Sequence, residues 1–311
     1  MIRPDAVSVS GLFLSAGFCV FSALATGSGS AIIGVHPQQE AEVILNNGNP
    51  VESIAATDRG LAYGDGCFTT GRVRAGRLQL EQAHVERLWL ACERLFMTPP
   101  ERDLLLREIR QQAELVQEGV LKVLLTRGSG GRGYSAQGCH QTQRIIFTSA
   151  WPTHYASWQA HGIVLGDSSI ALSCQPLLAG IKHLNRLEQV LIRRQIDQQD
   201  WDEAAVLDTE GRLVECCAAN LLWRCGDTIF TPRLERAGVS GIMRGTIMAY
   251  LASCGQTCLE VDATRAALDE ADEILLCNAL LPVVPVRIYR QRELHDFTLC
   301  RQLQRFLDDS L

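Results

Sequence analysis

Apolar positions recur along this chain at spacings that predict both helices and strands. Over residues 81–96, Val85, Leu88 and Cys92 fall on one face of a helix, and two consecutive prolines follow the segment. Residues 102–117 repeat the pattern, with apolar side chains three and four positions apart. The first half of the chain therefore contains two predicted amphipathic helices.

Runs rich in β-branched residues predict strands around these helices. Residues 41–53 are typical of two strands joined by a tight Asn-Gly turn. Residues 119–128 and 144–151 predict two more strands. Between the hairpin and the first helix, residues 57–73 contain a Gly-Asp-Gly triplet and predict a tight polar turn.

The second half of the chain is richer in strands. Residues 162–172, 203–232 and 271–286 carry strand patterns, interrupted by Gly-containing turns. Residues 241–254 predict a helix that begins behind a Gly-rich entry, and residues 297–309 predict a last amphipathic helix.

One more helix is predicted over residues 184–198. Its Leu187, Val190 and Leu191 lie at helical spacing, and we expect them to face the core. Asn185 is followed three positions later by a glutamate, which is the spacing of a capping box.

The element order predicts an α+β protein with two unequal domains. The polar stretch that begins at Pro152 marks the boundary. We expect a small N-terminal α/β domain over residues 41–150 and a larger, strand-rich C-terminal domain over residues 151–311.

Residues 1–40 differ from the rest of the chain. An uncharged, partly apolar stretch follows Arg3, and Ala23-Leu24-Ala25 resembles a small-residue cleavage site. A secretory signal or a weak membrane anchor is one interpretation. Many Ser and Gly residues dilute the apolar stretch, which weakens the membrane interpretation. A disordered leader or a start codon placed too far upstream is the alternative, and the rest of the chain leads us to favour it.

Composition and charge exclude some functions. A hydrophobic content of 47% and a charged content of 21% are typical of a globular protein, and the net charge of -6 argues against a nucleic-acid binder. The 12 cysteines form no Cys-x-x-Cys pair and no metal-ligand spacing with histidine. We interpret them as reduced core residues and expect no metal.

Two residues stand out as candidates for chemistry. Lys182 is one of few lysines and has apolar or small neighbours, and desolvation would make its amine a neutral nucleophile. A surface lysine is the alternative. Glu215 lies in an otherwise apolar strand, where it could face solvent or pair with a buried cation, with Asn220 orienting it.

Two further features would suit a phosphate. Residues 236–248 place a Gly-rich turn before a helix, where free backbone amides bind anions, although an ordinary helix start looks the same. Arg87 projects from its helix away from the apolar stripe, as a solvated arginine also would. A lysine, a strand carboxylate, a phosphate seat and an arginine together meet the requirements of pyridoxal phosphate.

Several long motifs resemble one enzyme family. The chain contains DRGLAYGDGCFTTGRV, TRGSGGRGYS, LAGIKHLNRLEQVLIR, ECCAANLLWR, AGVSGIMR and ADEILLCNALLPV, in this order. It is similar over about residues 43–286 to the aminodeoxychorismate lyases, fold-type IV pyridoxal-phosphate enzymes of the class IV aminotransferase family. The resemblance implies that fold, with the cofactor between two domains.

The resemblance also implies roles for individual residues. Lys182 matches the Schiff-base lysine and general base, and Glu215 the acid facing the pyridine nitrogen. Three matches concern the phosphate and its surroundings: Arg87, Asn278 and the backbone amides of Ile242 and Met243. Family aminotransferases often have threonine where this chain has Met243, so only main-chain contact is expected there.

Substrate contacts are implied by a second set of matches. Arg132 and Tyr134 occupy positions where D-amino-acid aminotransferases bind a substrate carboxylate. Tyr63 is expected to line the substrate side. The implied reaction converts 4-amino-4-deoxychorismate to 4-aminobenzoate and pyruvate, a step of folate biosynthesis.

The resemblance further implies a cytoplasmic homodimer that acts on a small molecule. Its metabolic neighbour would be the upstream aminodeoxychorismate synthase, and neither nucleic acid nor membrane is an expected partner. A D-amino-acid or branched-chain aminotransferase of the same fold is the first alternative. A binding protein that keeps the fold without the cofactor is the second, and the intact lysine, glutamate and arginine argue against it.

Overall fold

The computed structural model describes residues 44–310, so the leader predicted over residues 1–40 lies outside it. The described residues build two β-sheets, each from one half of the chain. The first sheet consists of β1 (Ile44–Asn46), β2 (Asn49–Pro50), β3 (Gly66–Arg74), β4 (Arg77–Leu78), β5 (Gly119–Thr126) and β6 (Gln143–Ser149).

All neighbouring strands of this first sheet are antiparallel, in the order β2-β1-β6-β5-β3-β4. The predicted hairpin at its edge is confirmed. Asn47 and Gly48 form the turn between β1 and β2 with φ angles of 52° and 80°, and Asn and Gly are the residues that tolerate such angles.

Three helices belong to the same half of the chain: α1 (Arg59–Tyr63), α2 (Glu81–Arg94) and α3 (Arg102–Val116). The predicted apolar face of α2 is confirmed, since Val85, Leu88 and Cys92 are buried in the core beside the first sheet. The sequence predicted only a turn where α1 lies. Asp58 caps that short helix by accepting a hydrogen bond from the amide of Gly60.

The second sheet has nine strands, and it mixes parallel with antiparallel pairs. Its order is β12-β11-β10-β13-β14-β7-β8-β9, with β15 paired to β14. The strands are β7 (Ile163–Asp167), β8 (Glu203–Leu207), β9 (Leu213–Cys216), β10 (Asn220–Cys225), β11 (Thr228–Pro232), β12 (Cys258–Val261), β13 (Glu273–Cys277), β14 (Val284–Tyr289) and β15 (Arg292–Glu293).

Five helices accompany the second sheet: α4 (His154–His161), α5 (Leu187–Ile196), α6 (Ile242–Ser253), α7 (Ala266–Asp269) and α8 (Thr298–Ser310). The sequence analysis treated the α4 segment as a polar connection and missed this helix. Helix α4 ends at His161, and Gly162 follows it with a positive φ of 73°, which glycine tolerates.

Two predictions for α5 were wrong. Its buried residues are Ile192 and Ile196, whereas Leu187, Val190 and Leu191 are 78%, 60% and 49% exposed. The predicted capping box is also absent, since Arg186 precedes the helix and makes no side-chain cap hydrogen bond. The spacing of the apolar residues was right for a helix, but spacing does not say which apolar face a core covers.

The cysteines of the described residues are all free, and several of them lie in the cores. Cys67 and Cys92 pack in the core of the first sheet, and Cys277 and Cys300 beside the second. This agrees with their interpretation as small core residues. Within residues 44–310, no helix is both long and apolar enough to cross a membrane.

The predicted domain boundary at residue 151 stays a prediction. The described residues belong to one compact unit by their contacts. Each sheet nevertheless takes its strands from one side of that boundary, and the loop with Lys182 connects β7 with α5. We therefore keep two domains as a proposal.

Candidate active site

The loop that carries Lys182 is held from two sides. The amide of Phe68 in β3 donates a hydrogen bond of 2.9 Å to the carbonyl oxygen of Lys182. On the other side, the amide of Gly180 donates to Gly238 at 2.9 Å, and the amide of Ser240 donates back to Gly180 at 3.1 Å. The lysine backbone is therefore fixed between β3 and the segment that leads into α6.

The glycine two positions before the lysine has a steric reason. Gly180 has a φ of +80°, and a Cβ atom there would lie 2.9 Å from the Oγ atom of Ser240. Next to it, Ile181 is buried in the core of the first sheet. Glycine thus permits a close crossing of two backbones, and isoleucine anchors the loop just before the lysine.

The amine of Lys182 lies against an aromatic ring and near other charges. Its Nζ atom is 4.7 Å from the ring centroid of Phe68. Burial lowers the pKa of Lys182 to about 8, the charges of Arg87 and Arg186 act in the same direction, and Glu215 opposes them. Far more of this amine is neutral near pH 7.5 than of an exposed lysine, which favours a nucleophile or base.

Glu215 points inward from β9 and is only 5% exposed. Its Oε2 atom accepts a hydrogen bond of 2.8 Å from the amide of Val239. Burial raises the pKa of Glu215 to about 7, against the lowering effects of the Val239 amide and of Lys182. The solvent-facing alternative for this carboxylate is therefore wrong.

Asn220 does not play the part that the sequence suggested. Its Nδ2 atom donates a hydrogen bond of 2.9 Å to the carbonyl oxygen of Val239, the residue whose amide binds Glu215. Asn220 thus acts on the carboxylate only through the Val239 backbone. A Cβ atom at Gly241 would collide with the Oδ1 atom of Asn220, which explains the glycine before α6.

The start of α6 and Arg87 lie at the same cavity. Gly241 is the N-cap of α6 and provides no side-chain cap, so the first amides of the helix have no partner within the helix. Ile242 lines the cavity, whereas Met243 is 1% exposed and packs in the core. The side chain of Met243 is therefore not part of the cavity wall, and the predicted main-chain contact stays a prediction.

Arg87 connects α2 with the start of α6. Its Nη2 atom donates a hydrogen bond of 2.8 Å to the carbonyl oxygen of Ser240, just before the helix start. Burial lowers the pKa of Arg87 to about 10, and Glu215 counteracts this. The guanidinium therefore remains charged at neutral pH.

These groups surround one cavity of about 300 Å³. The charged side chains of its wall are Lys182, Arg87, Arg186 and Glu215, three cations against one acid. Such a wall favours a ligand with anionic groups. Other polar side chains along the wall are Thr70, Tyr155, Gln189, Asn220 and Asn278.

The donor set fits pyridoxal phosphate. A nucleophilic amine, a buried carboxylate, a cationic arginine and free amides at a helix start share the wall, and these are the groups that the aldehyde, the ring nitrogen and the phosphate need. The cavity is also within the usual size of small-ligand sites. Among residues 44–310, no cluster of His, Cys, Asp or Glu has the makeup of a metal site.

Asn278 shapes the wall through its backbone neighbours. Its Nδ2 atom donates to the carbonyl oxygen of Ala218 at 3.1 Å, and its Oδ1 atom accepts from the amides of Leu280 and Leu281 at 2.8 and 2.6 Å. The polar atoms of Asn278 thus connect two loops that border the cavity. Its predicted contact with the cofactor stays a prediction.

The predicted substrate residues lie elsewhere. Arg132 is exposed, Tyr134 is 89% exposed, and Tyr63 is 42% exposed. The rings of Tyr63 and Tyr134 are 5.5 Å apart, so these two residues do meet. The cavity wall formed by the described residues includes none of the three, and their roles stay predictions.

A buried arginine holds the loop that carries these residues. Arg59 donates hydrogen bonds to the carbonyl oxygens of Gly133, Tyr134 and Ser135 at 2.9, 3.2 and 3.2 Å. Its Nε atom donates to Asp65 at 2.8 Å. The backbone of this loop is therefore fixed, although its side chains are exposed.

Four polar side chains of the cavity wall were not predicted from the sequence: Thr70, Tyr155, Arg186 and Gln189. Arg186 lies within the quoted lysine motif, four residues after Lys182, and its position there was an available signal. Tyr155 belongs to α4, which the polar composition of that stretch concealed.

The chain is similar to several known proteins. The family model described as "Amino-transferase class IV" matches residues 66–289. Aminodeoxychorismate lyase from Vibrio harveyi is 39% identical over 241 residues, which cover 77% of this chain and 89% of that protein. A putative branched-chain-amino-acid aminotransferase from Methanocaldococcus jannaschii is 26% identical over 238 residues, or 75% of this chain and 81% of its own length.

A solved structure gives the same picture. The crystal structure of 4-amino-4-deoxychorismate lyase from Pseudomonas aeruginosa matches with a TM-score of 0.81 at 36% identity. The match covers 86% of this chain and 99% of that one. The α+β architecture with two sheets is therefore that of fold-type IV enzymes.

Proposed function

The chain belongs to the class IV aminotransferase family, and from this premise we propose that it is a pyridoxal-phosphate-dependent lyase. Its substrate would be 4-amino-4-deoxychorismate and its products 4-aminobenzoate and pyruvate. The observation that carries the proposal is the cavity wall, where Lys182, Glu215, Arg87 and the start of α6 meet. The identity of 39% with the Vibrio harveyi lyase supports the choice of reaction.

Different residues of the cavity wall would bind different parts of the cofactor. The amides of Ile242 and Met243 and the guanidinium of Arg87 would hold the phosphate, because free helix-start amides and a nearby cation favour an anion. Glu215 would bind the ring nitrogen, and Lys182 would bond to the aldehyde carbon. When bound, pyridoxal phosphate supplies an electron sink for the carbon that carries the substrate nitrogen.

Lys182 acts as the base in this proposal. Once the substrate amine has displaced Lys182 from the aldehyde carbon, the freed neutral amine would remove the proton from the substrate carbon that bears nitrogen. The lowered pKa of Lys182 favours this role, because an amine with an ordinary pKa would be protonated at neutral pH. Hydrogen bonds fix the backbone of the loop at Lys182, and this residue lines the cavity.

Glu215 keeps a proton in place rather than moving one. An ionised carboxylate at the ring nitrogen favours the protonated ring, which accepts electrons better. The Oε2 atom of Glu215 accepts a hydrogen bond from the Val239 amide. The segment that leads to the start of α6 therefore also holds this carboxylate. Loss of the enolpyruvyl group from the neighbouring carbon then leaves an aromatic amine.

The two carboxylates of the substrate need cationic groups or hydrogen-bond donors. Arg132, with Tyr134 and Tyr63 near it, remains our candidate for one of them. All three are exposed, and Arg59 fixes the backbone of their loop. Because the backbone is already fixed, only the side chain of Arg132 would lose freedom on binding an anion.

We also propose that the chain forms a homodimer in the cytoplasm. On α5, Leu187, Val190 and Leu191 form an exposed apolar stripe of the kind that a partner subunit covers. The free cysteines of the described residues agree with a reducing compartment. A sedimentation mass equal to the 34.2 kDa of one chain would contradict the dimer.

The reaction itself can be tested on the purified protein. The substrate is generated in place from chorismate and glutamine by the upstream aminodeoxychorismate synthase, and 4-aminobenzoate is followed by fluorescence with pyruvate in a coupled assay. We expect equal amounts of both products, and none with Lys182→Ala. A cofactor-loaded protein that forms no product but converts D-alanine and 2-oxoglutarate would favour the aminotransferase alternative.

A further inference from the structure

Arg186 grips the backbone on both sides of Lys182. Its Nε atom donates a hydrogen bond of 2.8 Å to the carbonyl oxygen of His183, and its Nη2 atom donates one of 3.2 Å to that of Ile181. These two carbonyls flank the lysine in the chain. One guanidinium therefore holds the residues immediately before and after Lys182.

The amide of Phe68 completes this hold. It donates to the carbonyl oxygen of Lys182 itself, so three consecutive carbonyls from Ile181 to His183 are engaged. A rotation of the lysine backbone would break bonds to both Arg186 and β3. A planar guanidinium can donate along two directions at once, which a lysine ammonium in the same place could not reproduce.

The positive charge of Arg186 also acts on Lys182. Among the described residues, Arg186 forms no ion pair with a carboxylate. Its hydrogen-bond partners are neutral carbonyls. Four charged groups act on the Lys182 amine: Arg87 from α2, Lys122 from β5, Glu215 from β9 and Arg186 from the residue before α5. Three of them are cations and disfavour a protonated amine.

We propose that Arg186 is the positioning residue of Lys182. It fixes the lysine backbone through the two flanking carbonyls, and its positive charge favours the neutral form of the amine. This inference deepens the role of Lys182 and rests on the proposed function for its meaning. Arg186 lies in the motif that carries the family resemblance, but neither the resemblance nor the predicted site residues gave it a role.

The composition of the chain makes a direct test possible, because Lys122 and Lys182 are its only lysines. The full-length chain without cofactor is labelled with trace acetic anhydride from about pH 6 to about pH 11, and acetylation of each lysine is measured by mass spectrometry. Only a neutral amine reacts, so the midpoint of each curve reports the ionisation of that lysine. Lys122 serves as the internal reference.

We expect Arg186→Gln to change Lys182 alone. Loss of one neighbouring positive charge should raise the Lys182 midpoint by about 0.5 to 1 pH unit and lower its acetylation near pH 7.5 roughly three- to tenfold. The Lys122 curve should stay where it is. Arg186→Lys keeps the charge, so we expect its Lys182 midpoint to remain near that of the wild type.

Hydrogen exchange measures the hold on the backbone separately. The Phe68 amide should exchange faster in both Arg186→Gln and Arg186→Lys, because neither variant can bridge the two carbonyls. Arg94→Gln is the matched control. Arg94 also donates to carbonyls of this loop, those of Pro176, Leu177 and Ala179, but none of them flanks Lys182.

The outcomes that would overturn the inference are specific. An unchanged Lys182 midpoint in Arg186→Gln would contradict the proposed effect of charge. An equal rise of that midpoint in Arg94→Gln would contradict it too. Slow Phe68 exchange in Arg186→Lys would remove the backbone hold, and this readout remains if Arg186→Gln does not fold. If Lys182 of the wild type titrates like an exposed lysine, the proposed function itself loses its nucleophile, so the two failures differ.

Discussion

The cavity wall and the loop of residues 128–139 differ in which part is held in place, the side chains or the backbone. In the wall, the functional side chains themselves are constrained: Glu215 is buried and bound to a backbone amide, and Lys182 lies against an aromatic ring. In the loop, Arg59 holds the backbone while the side chains of Arg132 and Tyr134 are exposed. The cavity wall holds its functional side chains in place, whereas the loop holds only its backbone in place.

Under the proposed roles, the groups for the cofactor and the groups for the substrate carboxylates lie in separate regions of the chain. A single chain supplies every group that pyridoxal phosphate needs. The groups proposed for the substrate carboxylates stand on a surface outside that cavity. Mutations in the two regions should therefore fail in different ways, and the following predictions use that contrast.

The largest effect is expected from Lys182→Ala. The change removes the nucleophile and the base together, so turnover should fall by at least about a thousandfold. The product assay measures this loss. Lys122→Ala is the matched control and should keep most of the activity, and residual turnover of Lys182→Ala within tenfold of wild type would contradict the assignment.

Glu215→Gln should cost less activity and should spare cofactor binding. A neutral amide cannot hold a proton on the ring nitrogen, so turnover should fall about a hundredfold, while the remaining wall still binds the phosphate. Steady-state kinetics and the absorbance of the bound cofactor measure the two effects. A variant with normal turnover would exclude this role for the carboxylate.

Arg132→Ala should separate the two regions. If the loop binds a substrate carboxylate, KM should rise about tenfold or more with cofactor affinity unchanged, because the cavity wall is intact. Arg107→Ala removes another exposed arginine, from α3, and should change neither value. Equal loss of cofactor affinity in Arg132→Ala would show that the two regions are not independent.

The smallest effect concerns stability and depends on pH. The folded-state pKa of Glu215 is raised to about 7 from 4.5, so between these values the folded chain binds more protons than the unfolded one. Its contribution to the free energy of unfolding is present below pH 4.5 and is lost as pH rises through 7. Glu215→Gln should therefore stabilise the cofactor-free chain by about 1 to 3 kcal/mol near pH 8.

Thermal or urea unfolding of both proteins at about pH 5 and about pH 8 measures this prediction. The gain should be larger at the higher pH, where burial of the charged carboxylate is costly. A variant that is less stable than wild type at both values would mean that the hydrogen bond to Val239 outweighs the cost of burying Glu215.

The sequence predicted those parts of the fold that depend on local pattern. Helices α2 and α3 and the β1–β2 hairpin have periodic apolar residues or a turn signal of their own. The orientation of α5 could not be predicted, because Leu187 and Ile192 are equally apolar and only the packing decides which is buried. Helix α4 was missed because its polar composition resembles a linker.

The candidate site divides along the same line. Lys182, Glu215 and Arg87 were predicted from residue types in unusual places and from the motif resemblance, and the structure brings them to one cavity. Arg186 was not predicted, because its partners are backbone carbonyls, which every residue has and no sequence pattern marks. The same holds for the grip of Arg59 on its loop.

The most direct test of the account locates the cofactor on the chain. The cofactor-loaded protein is reduced with borohydride, digested and analysed by mass spectrometry, and only Lys122 and Lys182 can carry the label. The account predicts one cofactor per chain, all of it on Lys182. Label on Lys122, or a protein that takes up no cofactor at all, would contradict the assignment of the cavity.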